Sequence, residues 1–333
     1  VRPGPDWLSR LLEIVTVTGQ LEVRCAFGAP WHVVYEQSAA REIPYHVIVN
    51  GSALLEDPDT RTSQTLSSGD ILLLPHGSAH VLHDGSGRPP APVSVTEGPN
   101  IILNENIGSG ARLDMLCGRF FVEPPHDRLV RDYLPTTLIV RAQNAVRHAE
   151  SAPAADQLAS LVRMMRVEAA GEKLGSHAML NVLSSALFAL TLRAASESQR
   201  TPKGLLALAG HPRLAPAVMA MFGDPAKPWT LPELAQLCNM SRATFVRHFE
   251  DALGRSAHDL LTDIRMSLAA NALKHPSVTT EAAAELAGFQ SIAAFRRSFA
   301  QWMGVTPGEW RRAARRSEAA GSVVVEDAGA RAS

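Results

Sequence analysis

The chain holds only three cysteines and three tyrosines in 333 residues, and its formal net charge is -1. Cysteines as sparse as Cys25, Cys117 and Cys238 exclude a disulfide-stapled scaffold. A balance this close to neutral gives, taken whole, no electrostatic sign of a nucleic-acid binder. Long apolar runs are also missing: stretches such as Ile71–Leu74 fall far short of the roughly 20 residues that a bilayer-spanning helix needs. The first twenty residues, which begin at Val1, lack a basic start followed by an apolar run, so no signal peptide is expected. Together these absences point to the cytoplasm.

What is present is enough to fold. A hydrophobic content of 46% fills sizeable cores and excludes a disordered chain. The length exceeds one ordinary core and suits two domains. Charge is also unevenly placed: from Lys203 to Arg316 there are fourteen Lys and Arg against nine Asp and Glu, so that segment is basic and the remainder acidic.

Three zones follow. Residues 1–141 read as short β-rich runs, among them Tyr45–Val49, Ala53–Glu56, Ile71–Leu74 and His80–His83, broken by Gly, Pro, Asn and Asp. Such spacing predicts a β-sandwich or small barrel. Residues 142–200 turn helical, with Leu158, Leu161, Met165 and Val167, then Leu180, Leu183, Leu187, Leu190 and Thr191 at mostly three- and four-residue steps. Gly171 and Gly175 mark the break between two helices, which either cover the β domain or pair with a second chain. Glu197–Gly204 reads as a linker, residues 201–316 as an all-α domain, and 317–333 as a disordered tail.

The all-α zone repeats one plan. Thr230 and Glu233 form a capping box ahead of Leu231, Leu234, Ala235 and Leu237. A turn at Cys238-Asn239-Met240 leads to Ser241, which caps a second helix with Phe245 and Phe249 inward and Arg242, Thr244, Arg247 and His248 outward. About fifty residues later, Glu281–Ala287, a turn at Gly288, and a cap at Ser291 precede Phe295 and Phe299, with Ile292, Ala293, Arg296 and Arg297 outward. Thr306 to Glu309 is a further capping box. Between the two units, Asp259–Lys274 reads as a single rod of about 24 Å, able to hold two recognition helices about one DNA turn apart.

Residues 212–312 resemble the DNA-binding domain of the AraC/XylS family of transcription regulators. The residues carrying this resemblance are Gly288-Phe289-Gln290-Ser291, Phe295-Arg296-Arg297-Ser298-Phe299, Gly304-Val305-Thr306-Pro307 and Trp310-Arg311-Arg312. The resemblance implies base contacts at Ala243, Val246 and Arg247 and at Ile292, Ala293, Arg296 and Arg297. Arg242, Thr244 and Ser291 complete the DNA-facing set. It also implies double-stranded promoter DNA as partner, RNA polymerase if the protein is an activator, and a homodimer.

Gly69 to His80 is similar to the second cupin motif, and Tyr45 to Gly51 to the strand before it; with Ala29-Pro30-Trp31 and Cys117-Gly118-Arg119-Phe120 the resemblance spans residues 8–122. It implies a sensor domain for a small-molecule effector or oxidant, with His46, His80, Cys25 and Cys117 as candidate sensor residues. Metal-binding cupins place His-x-His and a glutamate in the first motif, whereas His46 stands alone here. His46 and His80 hold Zn or Cu only if Cys117 or His83 joins them; otherwise they line an effector site. Cys25 and Cys117 either act as a redox pair or pack as small hydrophobes.

The expected fold class is therefore α+β: an N-terminal cupin-like β-barrel with following helices, then an all-α domain with two helix-turn-helix units. The expected function is a signal-responsive, sequence-specific DNA-binding regulator rather than an enzyme; the alternative is a metal-dependent cupin enzyme with an accessory helical domain.

Overall fold

A computed structural model describes residues 6–58, 62–141, 153–171, 173–198 and 204–316. The tail at 317–333 and most of the linker, 199–203, lie outside the described residues. The chain divides into two compact units, Val15–Gly210 and Val1–Ile14 together with His211–Ser333. Helix α1 (Trp7–Ile14) opens the chain and belongs to the second of these.

The first unit contains β1 (Val17–Gly28), β2 (His32–Tyr35), β3 (Glu42–Asn50), β4 (Ser52–Glu56), β5 (Ser63–Ser67), β6 (Ile71–Leu73) and β7 (His80–His83). There follow β8 (Val93–Glu97), β9 (Ile102–Asn106), β10 (Arg112–Val122), α2 (Asp127–Tyr133), β11 (Leu138–Val140), α3 (Pro153–Ala169), α4 (Ser176–Ser196) and α5 (Leu205–Gly210). Two sheets form, one of seven strands in the order β11-β6-β3-β10-β1-β9-β8 and one of four in the order β2-β7-β4-β5. Their strands pair antiparallel except β1 with β9.

Of the sandwich or small barrel that the strand spacing allowed, the structure takes the sandwich, two sheets around a shared core. Alternation along β1, β3 and β10 sends Cys25, Phe27, Ile48, Met115 and Cys117 inward, where they meet Leu55, Leu66 and Leu82. The alternate residues of the seven-stranded sheet face α4. Tyr45 Oη lies 3.0 Å from Ser184 Oγ, the Gly19 amide donates to Ser185 Oγ at 2.9 Å, and Phe120 meets Phe188 at 5.1 Å between ring centroids. A side chain at Gly19 would run into Ser184, so glycine here sets the close approach of β1 and α4.

Helix α4 has 21 residues and contains an 18-residue window with a mean hydropathy of 1.5, long and apolar enough by length and composition to cross a membrane. The short runs weighed in the sequence passed over it because Ser184, Ser185 and Thr191 interrupt the apolar residues. Its Leu180, Ser184, Leu187 and Phe188 are buried, and it lies along the outer face of β1.

The second unit contains α6 (Ala215–Gly223), α7 (Leu231–Leu237), α8 (Arg242–Leu253), α9 (Ala257–Ala272), α10 (Thr280–Leu286), α11 (Ile292–Met303) and a last helical stretch at 307–316. Helix α1 is amphipathic and buries Leu8, Leu11 and Ile14. Trp7 meets Phe222 at 6.4 Å and Asn271 Nδ2 donates to the Ile14 carbonyl at 2.8 Å, so a segment read with the β domain is part of the helical unit. Helix α9 begins two residues before Asp259 because Ser256 and Asp259 form a reciprocal capping box. The cap of α10 is Thr279.

Candidate functional site

The two helix-turn-helix units are built alike down to their turns. In the first, the Met240 amide donates to the Ala235 carbonyl at 2.9 Å; in the second, the Phe289 amide donates to the Ala284 carbonyl at 2.9 Å. The left-handed residue in these turns is Asn239 at φ 50° and Gly288 at φ 72°. A side chain at Gly288 would also run into the carbonyl of Ala226. Ser241 and Ser291 cap α8 and α11 by accepting the amides of Thr244 and Ala294. Phe245 and Phe249, like Phe295 and Phe299, are fully buried and lock each helix by one face.

The opposite faces are open. On α8, Arg242, Ala243 and Arg247 are exposed and Val246 is half-buried; together with Glu250 and Asp251 they line a surface groove. On α11, Ile292, Ala293, Arg296 and Arg297 are exposed, as is the cap Ser291. Two of the expected contacts are partly engaged. The Thr244 hydroxyl lies 2.8 Å from Ser241 Oγ, and Arg296 sits 3.7 Å from Glu281 in an exposed pair. Among the described residues, Arg242, Arg247 and Arg297 form no ion pair.

Helix α9 ties both units to one frame. Toward the first, Arg265 donates to the carbonyls of Pro225 and Lys227 at 2.7 and 2.8 Å. Toward the second, the indole N–H of Trp302 on α11 donates to the buried Asp263 carboxylate at 2.5 Å, and Trp310 donates to the Ala270 carbonyl at 2.9 Å. Arg255, from the loop before α9, reaches the other oxygen of Asp263 at 3.3 Å. Sequence reading found the rod but missed Asp263, whose partner lies 39 residues away.

A second polar site lies inside the β-sandwich, and its parts come from both sheets. His46 on β3 stands directly opposite Cys117 on β10, and His46 Nδ1 lies 3.1 Å from Cys117 Sγ. His80 on β7, in the other sheet, brings its Nε2 to 2.8 Å from His46 Nε2. The remaining nitrogen of His80 lies 2.9 Å from the carbonyl oxygen of Ser78. Tyr35, opposite His80 in register, stacks on it at 4.6 Å and places its hydroxyl 3.7 Å from Cys117 Sγ. Cys25, one diagonal step across the β1–β10 ladder, lies in the same buried core as Cys117.

His46, His80, Cys25 and Cys117, the four expected sensor residues, therefore form one buried cluster. Tyr35 was not foreseen, since nothing along the chain signals a cross-strand stack. Burial, with the nearby His80, holds His46 well below the ordinary imidazole range, and burial lowers His80 as well. The hydrogen bond with Cys25 and then burial push the Cys117 thiol well up, and burial does the same to Tyr35. Each of these shifts favours the neutral form of its group.

The donor set does not fit the metal that cupins often carry. The two Nε2 atoms are bonded to each other, Cys117 sits on the opposite nitrogen of His46, and His83 faces outward beside Glu56 at 3.6 Å. Among the described residues no three His, Cys, Asp or Glu side chains are arranged to hold a metal ion.

Comparison with known proteins matches both halves of the chain to families. The cupin family profile matches residues 6–197, and a helix-turn-helix domain profile matches residues 234–313. An uncharacterized HTH-type transcriptional regulator of Haemophilus influenzae is 27% identical over 308 residues, covering 92% of this chain and 98% of its own. The RCS-specific HTH-type transcriptional activator RclR of Escherichia coli K12 is 28% identical over 311 residues, covering 93% and 98%. The structure of unsaturated fatty acid bound wild-type ToxT from Vibrio cholerae aligns over 89% of this chain and 94% of its own, at 12% identity and a TM-score of 0.34. With a cupin domain over more than half its length and an AraC-type helix-turn-helix domain behind it, the chain belongs to the AraC family of transcription regulators.

Proposed function

We propose that this regulator reads promoter DNA with α8 and α11 in successive major-groove segments, and receives its signal at the Cys25–Cys117–His46–His80 cluster. The observation that carries the DNA half is the matched exposure of Arg247 and Arg297, without ion pairs among the described residues, on two helices locked to one rod. Arg247 and Arg297 read bases or phosphates, Ala243, Val246, Ile292 and Ala293 meet thymine methyl groups, and Arg242, Thr244, Ser291 and Arg296 flank them.

The sensor half takes support from a buried thiol pair beside two imidazoles, and from a relative whose name specifies RCS. We read the signal as a small oxidant or soft electrophile that reacts with Cys25 and Cys117. The reaction changes the sheet whose outer face bears on α4 through Tyr45–Ser184 and Gly19–Ser185. The same reading pairs two copies through α3 and α4, where Met164, Val167, Met179 and Val182 are exposed. The chain is then a cytoplasmic homodimer that engages RNA polymerase when it activates, and it catalyses no turnover of its own.

Gel-shift titrations on fragments upstream of its own and neighbouring genes, at fixed salt, test the reading. Saturable binding that shifts after oxidant treatment, and no longer shifts in Cys25→Ser/Cys117→Ser, supports it. A shift that survives the double substitution rejects the thiol pair as sensor.

A further inference from the structure

The polar groups inside the sandwich form a chain of hydrogen bonds with one direction. The Ser78 carbonyl can only accept, so the His80 nitrogen 2.9 Å from it carries the hydrogen. A neutral His80 then presents a bare lone pair at Nε2, and His46 Nε2, 2.8 Å away, is the donor to it. Neutral His46 is left with a bare Nδ1, and the group facing that lone pair is the Cys117 thiol at 3.1 Å. The order of donors thus runs from Cys117 to His46 to His80 to the Ser78 carbonyl. Behind Cys117, the Tyr35 hydroxyl is placed to donate to its sulfur.

We infer that His46 is the proton acceptor for the Cys25–Cys117 thiol pair, and that His80, anchored on the Ser78 carbonyl, is the positioning residue that keeps His46 in the accepting tautomer. The inference rests on the sensor reading above and supplies its chemistry. A buried thiol is a poor nucleophile, because the thiolate reacts and burial opposes its formation. A base on the far side of the S–H bond removes that obstacle at the moment of attack.

The groups facing the reacting sulfurs are His46 from β3, Tyr35 from β2 and His80 from β7. Glu22, on the same strand as Cys25, is the carboxylate whose charge acts on Cys117. The Tyr35 hydroxyl is a donor to the thiolate, and Glu22 opposes it, so the gain from proton transfer lies with His46.

With a small neutral two-electron oxidant such as hydrogen peroxide, the step balances. The Cys117 proton moves to His46 Nδ1, and the thiolate sulfur bonds to one peroxide oxygen as the O–O bond breaks. The departing hydroxide takes the proton from the imidazolium and leaves as water, with a sulfenic acid on Cys117. The Cys25 sulfur then attacks that sulfur, the S–O bond breaks, and the Cys25 proton joins the hydroxide as a second water. Two thiols have lost two electrons and two protons, peroxide has become two waters, and His46 is again neutral.

The test uses the full chain carrying Cys238→Ser, so that the pair supplies the only thiols, with methyl methanethiosulfonate as a small neutral probe. Its rate of reaction is followed by intact-mass spectrometry from pH 6 to 8.5, in this parent, in His46→Gln and in His80→Gln. Without a base, the rate follows the thiolate fraction and rises about tenfold per pH unit; with one, it is nearly flat. The expected result is a shallow profile in the parent, the tenfold rise in His46→Gln with a loss of at least about tenfold at pH 7, and an intermediate slope in His80→Gln. Equal slopes in all three overturn the inference. Circular dichroism checks that each variant folds; if His46→Gln does not, the slope in His80→Gln decides. The DNA response to peroxide separates the two claims. A His46-dependent slope with no DNA response keeps the proton acceptor and rejects the sensor, and a DNA response with equal slopes does the reverse.

Discussion

His46 and His80 meet Nε2 to Nε2 at 2.8 Å across the gap between the two sheets. One hydrogen fits between those atoms, so the pair is stable with both rings neutral and is broken by protonating both. Nothing charged lies within the pair to offset a proton, and burial holds both rings below their ordinary range.

This fixes the sign of a pH effect. An imidazole depressed in the folded state stays neutral while its unfolded counterpart takes a proton below about pH 6.5, so the unfolded state binds more protons and stability falls with falling pH. The loss is about 1.4 kcal/mol per pH unit for each such ring, from pH ~6.5 down to its folded-state value. Denaturant unfolding of the whole chain between pH 5 and 8 should show that slope, and His46→Gln should reduce it. An unchanged slope contradicts the neutral pair.

Arg247→Ala and Arg297→Ala should each cost about 1–3 kcal/mol of specific DNA binding if the arginine reads a base. If it contacts phosphate instead, binding weakens evenly across sequences and the salt slope falls by about one. Titrations on target and scrambled fragments at several salt concentrations separate the two outcomes. Unchanged affinity in both variants removes α8 and α11 as the reading helices.

Gly288→Ala should destabilise the second unit by about 2 kcal/mol or more, because its left-handed backbone and the nearby Ala226 carbonyl both exclude a side chain. Asn239→Gly, at the matching turn, should be neutral or mildly stabilising. Thermal unfolding of both variants checks the pair of signs.

Asp263→Ala should cost about 1–3 kcal/mol of stability by leaving the Trp302 indole N–H without its carboxylate. Its more telling effect is on DNA. With α11 released from α9, the penalty for inserting one or two base pairs between the half-sites should shrink relative to wild type. A full penalty retained in the variant shows that Asp263 does not set the spacing.

The helical unit was the more legible part of the chain, for a physical reason. Caps such as Thr230 with Glu233, the turn at Gly288 and the Phe245–Phe249 spacing are interactions within four residues, so they are written in the local sequence. Thr279 was passed over as the cap of α10 because Thr280 and Glu281 beside it suit a first turn equally well. In the β-sandwich, short strands such as His80–His83 could be read, but the register could not. The pairing of His46 with Cys117, the diagonal approach of Cys25 to Cys117 and the stack of Tyr35 on His80 join residues as far as 92 positions apart. Alternation predicts which face a side chain takes, and only the folded sheets decide what it meets there. Strand spacing allowed a sandwich or a small barrel, and it does not reveal whether the two sheets stay separate.

The most direct test of the account is a hydroxyl-radical footprint of the purified protein on its target fragments, at fixed salt. Wild type would be compared with Arg247→Ala and Arg297→Ala. The account predicts two protected segments per protomer, about one helical turn (~34 Å) apart, with one segment lost in each variant. A single protected segment, or two that both persist in both variants, would contradict the reading of α8 and α11 as paired recognition helices.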